Sequence, residues 1–167
     1  MAAESTCSLP DKVNVQTPPW CCDYMASLLR ASAKTFLEPT PGAGNLVQAI
    51  SQSGREPLTF PNYDEIDWSA GNFDAVLINP PFTPMEMGYR MLYKSMTHCD
   101  NIIALLPQLA LINSQKRALD LGQFGLVSVT HLPRNVFPGS RVQTCIFQLR
   151  RGFDGVTALH LISEPAQ

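Results

Sequence analysis

DAVLINPPFTP, residues 74–84, is the stretch from which the rest of the chain can be read. Val76, Leu77 and Ile78 form a continuously apolar run of the kind carried by strands covered on both faces, and such strands belong to parallel sheets packed between helices. At the end of that strand stand an amide, two prolines and an aromatic ring, Asn79-Pro80-Pro81-Phe82. The prolines fix φ and remove two backbone donors, so the corner offers carbonyls that only accept, beside a side-chain amide oxygen that also accepts. Such a corner holds an amino group rather than an oxyanion. Accepting hydrogen bonds from both N–H groups of an exocyclic amine pushes its nitrogen toward tetrahedral geometry and raises its nucleophilicity, and the flanking ring gives a planar group a surface to stack on.

Outward from this corner, strand and helix patterns alternate. Thr17 precedes Pro18 and Pro19, and Trp20, Tyr24, Met25, Leu28 and Leu29 recur at helical spacing, which predicts a helix over 19–32. An apolar strand at 35–38, a Pro/Gly loop, a small helix carrying Leu46, Val47, Ala49 and Ile50, and a strand at 56–60 follow. Downstream the pattern predicts a helix over 85–96, a buried strand at 101–107, a helix over 109–121 closed by Gly122, and strands at 125–131, 143–151 and 156–162. The expected architecture is α/β: a mainly parallel sheet with helices on both faces and, from the consecutive final strands, an antiparallel edge.

Ligands of open α/β sheets bind beyond the carboxyl ends of the strands, which singles out a second loop, Glu38-Pro39-Thr40-Pro41-Gly42-Ala43-Gly44-Asn45. It sets a carboxylate at a strand tip and two glycines at a helix N-terminus, where backbone can approach a ligand closely. Its spacing is not that of a dinucleotide-binding loop.

Composition bounds the partners. The chain of 167 residues, 45% hydrophobic, suits one domain over 13–167 behind a flexible segment at 1–12. A net charge of −2 gives no general attraction to polyanions, so a nucleic-acid partner must meet a local patch. The five cysteines form no metal-ligand spacing and suit reduced thiols, and no apolar run approaches a membrane span. The expectation is a cytoplasmic protein with no metal and no membrane partner.

In their order along the chain, QTPPWCCDYMASLL, FLEPTPGAGN, FDAVLINPPF and LPRNVFPGSRVQTCIFQLRRG resemble the motifs of the N6-adenine DNA methyltransferases, within the wider class I S-adenosylmethionine-dependent methyltransferases. The resemblance covers about residues 16–152. It implies a Rossmann-like sheet, S-adenosyl-L-methionine as cofactor, and direct in-line methyl transfer to a flipped-out or single-stranded adenine, as in restriction–modification or phage enzymes. By similarity Thr17, Pro18, Pro19, Glu38, Pro39, Gly42, Gly44 and Asn45 border the cofactor, and Asp67-Trp68, with Asp64 as the alternative, contacts adenine. Asn79 and the Pro80 carbonyl hold the target amine, Pro81 shapes the corner, Phe82 stacks on the base and Phe137 is the second aromatic wall. Relatives of this group methylate adenine in structured RNA or protein glutamine, and a non-catalytic subunit is the reading from another class.

Two departures stand out. The stretch between Gly44 and Asn79 is short, as though one strand–helix unit were trimmed, and Glu56 is left as the candidate for the acid that holds the cofactor ribose. The similarity also leads one to expect a target-recognition domain after the late segment, and its lack here would put sequence reading on a companion subunit. Arg134, Arg141, Arg150 and Arg151 are expected around the substrate side, where they could contact phosphates.

Overall fold

Prolines in the first turn of a helix lose only N–H groups that would have no partner there, and α1 (Pro19–Ser27) opens in this way. The computed structural model describes residues 16–60, 63–68, 73–80, 84–138, 140 and 142–164. The helix stops short of the expected residue 32. Gln148 Nε2 donates to the Leu28 carbonyl at 3.1 Å, and Leu29 and Ala33 turn into the core on the way to β1 (Thr35–Glu38). Then come α2 (Asn45–Gln52), β2 (Glu56–Thr59), a 3-10 turn over Tyr63–Glu65, β3 (Ala75–Ile78) and α3 (Met85–His98).

β4 (Asn101–Pro107) is the long central strand, and two helices follow it in place of the single one expected. α4 (Leu109–Ile112) ends at Asn113, and α5 (Gln115–Phe124) restarts because the Ser114 hydroxyl accepts from Arg117 N at 3.2 Å. Gly122 therefore lies inside α5, and Gly125 closes it at φ 124°. A Cβ on Gly125 would lie 2.0 Å from the Arg150 carbonyl oxygen, so only glycine lets the two chains pass. β5 (Leu126–His131), β6 (Thr144–Arg150) and β7 (Ala158–Leu161) complete one seven-stranded sheet in the order β2-β1-β3-β4-β6-β5-β7.

The sheet is mainly parallel, as expected, and its reversed strand is interior. β6 runs antiparallel to both β4 and β5, while β7 pairs parallel to β5 at the rim. Alternation along the strands sorts the core into two layers. Phe36, Ala75, Leu77, Ile103 and Ile146 face α1 and α2, whereas Leu37, Val76, Ile78, Ile102 and Phe147 face α3 and α5. Among the described residues between β2 and β3 a 3-10 turn stands at Tyr63–Glu65, and Ile66 and Phe73, with Tyr63 and Trp68 packed beside them, cover the sheet face.

Candidate active site

Period-two alternation puts Glu38 on the same face as Phe36, and Asn79 on the same face as Leu77, so the two polar groups emerge together at the carboxyl ends of adjacent parallel strands. Glu38 is fully buried. Its Oε1 accepts from Thr40 N at 2.7 Å and from Thr40 Oγ1 at 2.8 Å, while its Oε2 is buried with no hydrogen-bond partner. Desolvation pushes its carboxyl up to about 7, against the opposing pull of the two Thr40 hydrogen bonds. Thr40 also reaches the Asn79-Pro80 corner, because its hydroxyl accepts from Asn79 N at 3.3 Å. Thr40 was not singled out in the sequence; a hydroxyl two residues beyond a strand-tip acid is the signal that points to it.

Asn79 is held at a second point, for its Nδ2 donates to Thr17 Oγ1. Among the described residues its Oδ1 has no partner. Thr17 is 4% exposed, and its carbonyl accepts from Asn45 Nδ2 at 2.9 Å and from the Cys22 thiol at 3.7 Å. Gln16, also missed in the sequence, crosses the glycine loop and takes Ala43 N at 3.1 Å. Gly44 caps α2 in the left-handed region at φ 87° and donates to the Pro41 carbonyl at 2.7 Å, while Gly42 lies under the Gln16 side chain. Pro39 and Pro80 are buried, Pro18 is half-buried and Pro19 is exposed. Thr17, Pro18, Glu38, Gly44, Asn45 and Asn79 thus converge on one end of the sheet.

Several expected members are elsewhere. Trp68 packs with its ring centroid 5.4 Å from that of His98, at the foot of α3, because the chain leaving β2 must descend to the start of β3; Asp67 is carried with it. Glu56 opens β2 and pairs with Thr35, at the end of the sheet away from Glu38, and β2 ends in Thr59 with no acid. Arg150 pairs with Asn101 at the start of β4, and Arg151 binds Asp100 at 2.6 Å, so the reversal of β6 takes both arginines to the far end, whereas Arg134 follows β5 at the end of the sheet that carries Glu38 and Asn79. Phe137 is 4% exposed and packed with Val136 and Leu132 in the layer facing α1. Pro81, Phe82, Arg141, the Asp64 side chain, the segment 1–12 and Cys7 lie outside the described residues.

Burial pushes the thiols of Cys21 and Cys22 up to about 12, so neither is a nucleophile at neutral pH. The described residues contain no cluster of His, Cys, Asp and Glu that could hold a metal, and no helix long and apolar enough to cross a membrane. A crevice between the end of α1 and the starts of β3 and β4, lined by Leu29, Ala75 and Ile103, lies at the opposite end of the sheet and carries none of this chemistry.

No family model and no curated protein matches the sequence. Solved structures match over nearly the whole chain. A type I restriction-modification methyltransferase subunit from Streptococcus thermophilus is similar over 92% of this chain and 49% of its own (TM-score 0.68, 14% identity). A modification subunit of a putative type I restriction enzyme from Vibrio vulnificus is similar over 93% and 48% (TM-score 0.69, 16% identity). A putative class I S-adenosylmethionine-dependent methyltransferase from Listeria monocytogenes is similar over 92% and 67% (TM-score 0.66, 14% identity). The chain spans about half the length of the first two. With its sheet order, its paired loops at the strand ends and these likenesses taken together, the chain has the class I methyltransferase fold.

Proposed function

We propose that this chain is an S-adenosylmethionine-dependent methyltransferase that acts on the N6 amine of adenine in DNA, the target base being flipped out of a duplex or presented in a single strand. The observation that carries the reading is the pairing of two unfilled acceptors, Glu38 Oε2 and Asn79 Oδ1, on one face at neighbouring strand tips. A buried carboxylate oxygen without a donor calls for a cationic or N–H-bearing partner, and the cofactor carries both an ammonium and a sulfonium charge. The donor set therefore fits the cofactor: Glu38 meets its positive charge, and the Gly42–Asn45 turn gives its remainder close backbone approach.

When bound, the cofactor supplies an electrophilic methyl group. The chain's own part is to hold the acceptor amine. Asn79 Oδ1 accepts one N–H of the amine and the Pro80 carbonyl the other, which localises the nitrogen lone pair for in-line attack. Direct transfer needs no covalent enzyme intermediate, in keeping with the inert Cys21 and Cys22. Pro81 and Phe82 shape and stack in this scheme, with Phe137 as the second aromatic wall. The restriction-modification likenesses support DNA as the substrate and a companion subunit for sequence reading.

One observation favours a second reading. The tip of β2 ends in Thr59 and offers no acid to the ribose end of a cofactor, as in a non-catalytic methyltransferase-like subunit. Calorimetric titration with S-adenosylmethionine followed by transfer of labelled methyl to DNA, RNA and protein separates the two. Binding with label on DNA supports the enzyme, label on RNA or protein moves the amine elsewhere, and absence of binding favours the subunit.

A further inference from the structure

We infer that Gln16 is a positioning residue for the cofactor: its side chain braces the glycine loop in the shape that receives S-adenosylmethionine. The inference rests on the cofactor reading above. Residues 16 and 17 are tied to that loop at neighbouring points. Ala43 N donates to Gln16 Oε1 at 3.1 Å, and Asn45 Nδ2 donates to the Thr17 carbonyl at 2.9 Å. A main-chain N–H only donates and a main-chain carbonyl only accepts, so both side-chain amides are fixed end for end.

A brace works only from a fixed base. Thr17 precedes Pro18, which biases it to extended backbone, and it is 4% exposed, with its carbonyl also taking the Cys22 thiol. The loop has less of its own to hold it. Gly42 and Gly44 stand at φ 51° and 87°, and glycine is the residue with the most conformational freedom to lose. The turn closes internally through Gly44 N and the Pro41 carbonyl at 2.7 Å, while the Ala43 N–H between the two glycines is met from outside by Gln16. Gln16 also lies against the loop, for a Cβ at Gly42 would stand 3.2 Å from Gln16 Oε1. With Ala43 bonded to the protein itself, the loop holds its shape without help from a ligand. The cofactor is then spared the cost of ordering it, which is how preorganisation raises affinity.

The test follows one amide. Gly-Ala occurs once in the sequence, so labelling with 13C-glycine and 15N-alanine selects the Ala43 amide alone. Gln16→Met keeps the side chain's length and loses its acceptor; in it the Ala43 amide should shift and exchange with water about tenfold faster. Calorimetric affinity for S-adenosylmethionine should fall about tenfold, with the loss in the cofactor KM rather than in kcat and the urea midpoint kept. Gln16→Glu offers Ala43 an acceptor whichever way it turns, and should restore both the amide and the affinity. An unmoved Ala43 amide, or unchanged affinity, in Gln16→Met would overturn the inference. So would a Gln16→Glu variant that restores the amide and not the affinity, since Gln16 would then touch the cofactor itself instead of bracing the loop. A wild-type protein that binds cofactor and transfers methyl, paired with an indifferent Gln16→Met, sinks this inference alone. A wild-type protein that binds no S-adenosylmethionine sinks the functional reading and the cofactor role of Gln16 together.

Discussion

At the scale of single residues, Glu38 combines full burial with one orphaned oxygen. Its carboxyl stands at about 7 in the folded chain against an ordinary 4.5, so between those values the folded state holds a proton that the unfolded state releases. Stability from this group is therefore highest below pH 4.5, falls as pH rises toward about 7 and is level beyond. Glu38→Gln keeps an acceptor for the two Thr40 hydrogen bonds without the charge. We expect it to exceed the wild type by up to about 3 kcal/mol at pH 8, with the gain gone at pH 4.5, as read by urea denaturation. An equal gain at both pH values would place its origin elsewhere. The same residue ties stability to cofactor binding: affinity for S-adenosylmethionine should rise as pH passes upward through about 7 and Glu38 ionises, and that rise should be absent in Glu38→Gln. Glu38 and Asn79 were legible in the sequence because each sits where an apolar run stops, and Asn45 because it closes the glycine loop, whereas Gln16 and Thr40 act through contacts that only the folded loop creates.

At the scale of elements, the strands could be read and the helix ends could not. Short apolar runs such as 75–78 and 101–107 announce themselves because both their faces are buried. The end of α1 depends on Gln148, more than a hundred residues away, and the end of α5 on the carbonyl of Arg150, so neither stop is written locally. Gly125→Ala should accordingly destabilise the protein by about 3 kcal/mol or more, since the added methyl meets main chain and the residue keeps a left-handed φ. Gly122→Ala, inside α5 with open space around its Cα, should be neutral or stabilise by up to about 1 kcal/mol. Denaturant midpoints of the two variants check the contrast, and similar values for both would contradict the assignment of the helix end. The misplacement of Arg150 and Arg151 has the same origin, because the direction of β6 decides which end of the sheet they occupy.

At the scale of the whole molecule, the sheet is strongest at its centre and open at its rim. β4 and β6 pair along their full length, while all four residues of β7 are exposed, Leu159 and Leu161 among them. Amide exchange should be slowest in β4 and β6 and fastest in β7, and Leu161→Lys should change stability by less than about 0.5 kcal/mol. The strand order puts β1 and β3 side by side, so the acid of one and the amide of the other share a face and an end without any long-range device. The most direct test of the central claim, that Asn79 holds an adenine amine for methylation, is mass spectrometry of nucleosides from DNA incubated with the protein and methyl-labelled cofactor. Wild-type protein should yield labelled N6-methyladenine and Asn79→Ala none while still binding the cofactor; labelled N6-methyladenine at wild-type levels from Asn79→Ala would contradict the account.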